Sequence, residues 1–195
     1  MNWKATFLLV LLALPGVAAS ALLAVPLLVD RTALSVPLAT LQVATAVQSA
    51  FLVVVAAVTG VLLAGKGGGS APALFAVAEG RNVREACRSQ WIPGLVGGCI
   101  GAAVIVSFHV FAPDAIRAAQ PEKPLPLAVR VLYGGITEEV LIRWGLMTAT
   151  AWAGWKLFQR HSPQPTPAMM WSAIVVSALV FGVSPLPVLA QSLPA

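Results

Sequence analysis

Glu138, Glu139 and Arg143 bring charge into an otherwise apolar run, Gly134-Gly135-Ile136-Thr137-Glu138-Glu139-Val140-Leu141-Ile142-Arg143-Trp144-Gly145. Near the centre of a helix in a bilayer, each such side chain costs roughly 2.5–3.5 kcal/mol. A cluster that costly is by default a candidate functional site. Glu139 and Arg143 stand four residues apart with the acid on the favoured N-terminal side, so a helix lets them neutralise each other. Glu138 is turned about 100° away from Glu139 on an α-helix and lacks an equally good partner. A carboxylate shielded from bulk water and not spent on a cation is suited to take a proton from water, as a general base must. The same residues also fit a proton or cation pathway, or a polar lock between helices. Charge placement alone leaves the three readings open.

The solvent that surrounds these residues follows from composition. The chain has 195 residues, 58% hydrophobic and only 10% charged, against about 25% charged in soluble domains. Mean hydropathy is +0.87. The apolar runs are long and continuous rather than alternating, which points to helices and not to a barrel. The expected fold is therefore an all-α, polytopic transmembrane helix bundle, a single membrane-embedded domain over residues 1–195. It should have about five spans, near residues 5–29, 43–64, 91–112, 127–158 and 168–187. The first is read as an uncleaved helix rather than a secretory leader, bent at Pro15 and Pro26. The stretch before the second, around Pro37, is a loop or re-entrant turn. Residues 71–90 mix apolar side chains with Glu79, Arg81, Arg84, Glu85 and Arg88, and read as an interfacial amphipathic helix whose second half is equally well a solvated loop. Gly97 and Gly101 in the third span form a small-xxx-small pair suited to close helix packing.

The formal charge of +5 does not call for nucleic acid, because the basic residues gather at the ends of apolar runs. With the N-terminus inside, seven of the 12 lysines and arginines fall on the cytoplasmic side and four outside, with Arg143 in a span. That orientation satisfies the positive-inside rule. Trp3, Trp91, Trp155 and Trp171 fall near span ends as interface anchors. Cys87 and Cys99 read as unpaired. His109 lies within the third span and His161 in a loop beside Arg160. Neither has the neighbours of a metal site, and there is no HExxH.

Thr137-Glu138-Glu139-Val140-Leu141-Ile142-Arg143-Trp144-Gly145 resembles the EExxxR signature of the CPBP intramembrane proteases. That family includes the type II CAAX prenyl endopeptidases and bacteriocin-processing, Abi-like relatives. The resemblance extends over residues 127–187, the protease-like core. Phe181-Gly182-Val183-Ser184-Pro185-Leu186-Pro187 is similar to the family's second motif, Phe-Gly-x-x-His-Leu-Pro, with Pro185 where the histidine belongs. The family's third motif, with a further histidine, has no counterpart here. The resemblance implies a truncated or degenerate member.

It further implies an intramembrane endopeptidase acting on membrane-associated or lipidated peptides. Glu138 and Glu139 are then the catalytic pair, Glu138 the water-activating base, and Glu139–Arg143 the structural ion pair. Phe181 and Pro185 are the remnant of the second motif. Cofactor use is left unknown, because metal use in the family is disputed and this sequence contains no complete metal site. The partners implied are membrane lipid and a membrane-associated peptide or protein, in a bacterial inner membrane with the N-terminus cytoplasmic. The competing expectations are an inactive pseudoprotease serving as a membrane binding or immunity protein, and a transporter.

Overall fold

The computed structural model describes residues 2–29, 36–66, 71–114, 124–159 and 161–183. All regular structure among them is helical, and the chain falls into two compact units. One contains residues 1–70 and 125–195, the other residues 71–124.

In the first unit, α1 (Trp3–Leu28) opens on Asn2, whose side-chain oxygen accepts from the Ala5 N–H at 3.2 Å. That bond satisfies one of the donors that a helix start leaves over. Ser20–Ala24, lying between Pro15 and Pro26, widens into a π-turn. The face buried in the unit repeats every turn through Ala5, Leu9, Ala13 and Val17. The next helix, α2 (Leu38–Ala64), begins directly behind Pro37 and buries Val53, Ala56, Ala57, Gly60 and Ala64. Ala56, Gly60 and Ala64 form a small-residue row at four-residue spacing. Such rows let helices approach closely in a solvent that provides no hydrophobic drive between them.

Residues 129–158 make up one long helix, numbered α6 by chain order. Its first two thirds, Val129–Thr137 and Glu139–Met147, bond from residue i to i+5 before Thr148–Phe158 returns to α geometry. The Thr137 and Thr148 hydroxyls each donate to the carbonyl five residues back, at 3.2 and 3.4 Å, in keeping with the wider register. Extended π geometry is rare, and its short forms often mark functional sites.

Three contacts fix α6 against its neighbours. Thr137 is fully buried, and its hydroxyl also donates to the Ala13 carbonyl of α1 at 2.9 Å. A Cβ on Gly16 would overlap that hydroxyl and the Leu132 carbonyl. On the α2 side, Trp144 covers Gly60 and Gly145 meets Ala56, both too closely for an added methyl.

The final helix, α7 (Pro167–Val183), turns back on α6, with Met169 against Gly154. The connection is held by Gln159, whose Nε2 donates to Thr166 Oγ1 at 2.8 Å and whose Oε1 accepts from the Thr166 N–H at 3.1 Å. Trp155 Nε1 donates to the Ser162 carbonyl at 2.9 Å.

The second unit contains α3 (Pro72–Glu79), α4 (Val83–Arg88) and α5 (Trp91–Phe111). The amphipathic stretch is thus two short helices rather than one, and its second half is helical and not a loop. Gly80, at φ +67°, ends α3, and the Arg81 N–H returns to the Ala76 carbonyl at 2.8 Å. This is the left-handed glycine cap that a side chain opposes.

Three helices, α1, α2 and α5, are long and apolar enough to cross a membrane. The other two expected spans are realised as helices but fall short of that criterion. The α6 helix carries Arg130, Glu138, Glu139, Arg143 and Lys156, and α7 has only 17 residues over its described length. Within its own unit the glycine face of α5 is open, since a Cβ on Gly94, Gly97, Gly98 or Gly101 meets none of that unit's described residues within 4 Å. In the first unit, close approaches occur at Gly16, Gly60, Gly145 and Gly154.

Thr137→Val should lower resistance to unfolding modestly, because an interhelical hydrogen bond in a membrane protein contributes about 0.6 and at most about 1.7 kcal/mol. Gly16→Leu should cost far more, since backbone and not a flexible side-chain end stands in the way. Unfolding in mixed micelles checks the order, and equal losses for the two variants contradict it.

Candidate functional site

The wide register of α6 changes which side chains share a face. In an α-helix Glu138 and Glu139 diverge by about 100°. More residues per turn bring neighbours closer in angle, and here both carboxylates line one cavity of about 560 Å³. Gly134, Ile142, Arg143 and Met147 complete the α6 wall. The facing wall is α7, through Ile174, Ser177, Ala178 and Phe181. These four follow the i, i+3, i+4, i+7 pattern of a single helix face.

Within the cavity the charges divide unequally. Arg143 Nε donates to Glu139 Oε2 at 2.9 Å, the pair expected from the spacing. The protein leaves 73% of the Arg143 side chain and 48% of the Glu139 side chain uncovered, so the pair faces the cavity mouth. Glu138 is half-buried, and its carboxylate forms no hydrogen bond or ion pair with any described residue. It lies at the junction of the two π segments, and its N–H donates to the Tyr133 carbonyl five residues back.

Tyr133 is the chain's single tyrosine. Ser49 of α2 lies close to its phenol, and the Glu138 carboxylate is near enough to act on it. Sequence reasoning missed Tyr133, because its relation to Glu138 is a π-helical one.

The placement of the other expected residues is mixed. Phe181 stands in the same cavity as the glutamates, which joins the two motif segments in space. Pro185 lies outside the described residues. Trp144 is a packing residue, pressed against Gly60. His109 is on α5 in the other unit, and His161 is in the turn between α6 and α7. Cys87 and Cys99 are free thiols. Ser177, which sequence reasoning also missed, is buried, with its hydroxyl donating to the Ala173 carbonyl at 2.7 Å. It stands one turn before Phe181 on the same face, and that period was the available signal.

Chemically, the site offers one unspent carboxylate, one ion pair and an apolar opposite wall. Among the described residues no three His, Cys, Asp or Glu side chains are grouped to hold a metal ion. No family model, curated protein or solved structure matches this chain.

Arg143→Ala should reduce the yield of folded protein, because it strands the Glu139 charge within the apolar wall. Glu139→Gln together with Arg143→Met removes both charges and should recover much of that yield. Fluorescence-detected size exclusion measures both, and a double variant no better than Arg143→Ala rejects the pairing as the reason.

Proposed function

We propose that the cavity between α6 and α7 is a membrane-embedded peptidase site of the CPBP type, with Glu138 as the base that activates water. The observation that carries this reading is the division of charge: Arg143 is engaged with Glu139, which leaves the half-buried Glu138 carboxylate directed at the cavity. The resemblance of residues 137–145 and 181–187 to the family's first two motifs supports it further, since Phe181 meets the glutamates at one cavity.

In the proposed reaction Glu138 takes a proton from water while the oxygen attacks the peptide carbonyl carbon. The C–N bond then breaks, and the amine leaves with the proton that Glu138 returns. Glu139 and Arg143 hold the loop of charge in place. The apolar α7 wall suits a substrate that arrives from the bilayer, a membrane-associated or lipidated peptide. In this reading α6 and α7 cross the bilayer with α1, α2 and α5, which makes five spans in a bacterial inner membrane with the N-terminus cytoplasmic.

A second reading has its own support. The described lining residues include no histidine, and most are apolar. A protein that binds a membrane peptide without cutting it, such as an immunity protein, needs no more than that.

Glu138→Gln should lower cleavage of a lipidated peptide in proteoliposomes by about 10²–10⁴-fold, the usual contribution of a general base. Expression and folded yield should be unchanged. Unaltered cleavage removes Glu138 as base. Peptide binding that survives Glu138→Ala, with no turnover in the parent protein, selects the binding reading.

A further inference from the structure

The second unit holds a cavity of its own, of about 720 Å³, formed by α4 and the first turn of α5. Asn82, Arg84, Glu85, Cys87, Arg88 and Trp91 line it. We infer that this cavity binds the phosphodiester headgroup of a bilayer phospholipid, with Arg84 and Arg88 as the phosphate ligands and Trp91 at the boundary with the acyl chains.

Charge is the first support. Arg84 and Arg88 are four residues apart, so α4 presents them on one side. The neighbouring Arg81 is occupied, its Nε donating to Glu79 Oε2 at 2.7 Å. Arg84 and Arg88 are exposed and form no ion pair with any described residue. Guanidinium groups match phosphate oxygens in both geometry and charge.

Position is the second support. The 21-residue α5 begins at Trp91. At 1.5 Å per residue it spans about 30 Å, the thickness of the hydrocarbon core. A helix that fills the core from its first residue puts the cavity at headgroup depth. An exposed tryptophan at that point is in the place where interfacial tryptophans gather. Acyl chains would then run along α5, a helix without Asp, Glu, Lys or Arg.

Charge balance narrows the ligand. The cavity's two arginines and one glutamate sum to a single positive charge, which one phosphodiester monoanion neutralises. Glu85 opposes the second negative charge of a monoester.

The test is native mass spectrometry of the full chain in neutral detergent, titrated with dioleoylphosphatidylglycerol, dioleoylglycerol and inorganic phosphate. A one-to-one adduct with the phosphatidylglycerol is expected. Arg84→Gln and Arg88→Gln should each weaken it about fivefold, and together about 25-fold, in line with the contribution of a basic side chain at an anionic surface. The diacylglycerol should not bind at this affinity, and inorganic phosphate should not compete. Glu85→Gln should improve binding of dioleoylphosphatidic acid. Parent-like binding by the double variant overturns the site, equal binding of diacylglycerol overturns the role of phosphate, and competition by inorganic phosphate overturns the lipid as its source. Unchanged elution of the double variant in size exclusion separates lost binding from lost fold.

Discussion

A charge placed in an apolar bundle has to be cancelled, and Arg143 cancels only one of two adjacent carboxylates. Its guanidinium reaches back four residues to Glu139 at 2.9 Å. Glu138 is thereby left with no cation among the described residues, beside a cavity and behind a wall of apolar side chains. Two neighbouring carboxylates with one arginine would be a poor structural lock, because half of the negative charge stays uncompensated at a cost of kilocalories. An arrangement that retains such a group is more readily understood as a site than as a strut.

The bundle holds this group in place by close packing rather than by large buried side chains. The fully buried side chains of greatest volume are Val53 and Thr137. Around them Ala13, Gly16, Ala56, Gly60 and Gly145 bring the α1, α2 and α6 backbones together, where dispersion and interhelical hydrogen bonds provide the attraction. Thr137, adjacent to Glu138 in the chain, is tied to α1. Trp144, adjacent to Arg143, is seated on α2. Both ends of the charged segment are therefore fixed by contacts with α1 and α2, while α7 forms the facing wall of the cavity.

Part of this was legible in the sequence. The Glu139–Arg143 pair was, because the four-residue relation does not depend on fine helix geometry. So were the helical class and the break before Pro167, which follow from hydropathy and from what proline does to a helix, whereas α2 begins at Leu38 rather than near residue 43. The direction of Glu138 was not, because the calculation assumes 3.6 residues per turn and α6 bonds in a wider register there. Nor were the helix contacts. Gly60 meets Trp144 through partners that no local pattern reveals. Phe181 was singled out by motif, and Ser177 one turn earlier was overlooked although the helical period contains it. The α6 helix is continuous over residues 129–158, and its charges take it below the hydropathy of the three long apolar helices.

Which carboxylate holds the arginine is the central question, and it can be measured in a bilayer. Solid-state NMR dephasing between ¹⁵N-labelled arginine and ¹³C-labelled glutamate side chains reports carboxylate-to-guanidinium proximity in reconstituted protein. A close contact at Arg143 that disappears in Glu139→Gln and persists in Glu138→Gln is the predicted result. A contact that disappears instead with Glu138→Gln contradicts the account, since the carboxylate proposed to activate water would then be the one bound to the arginine.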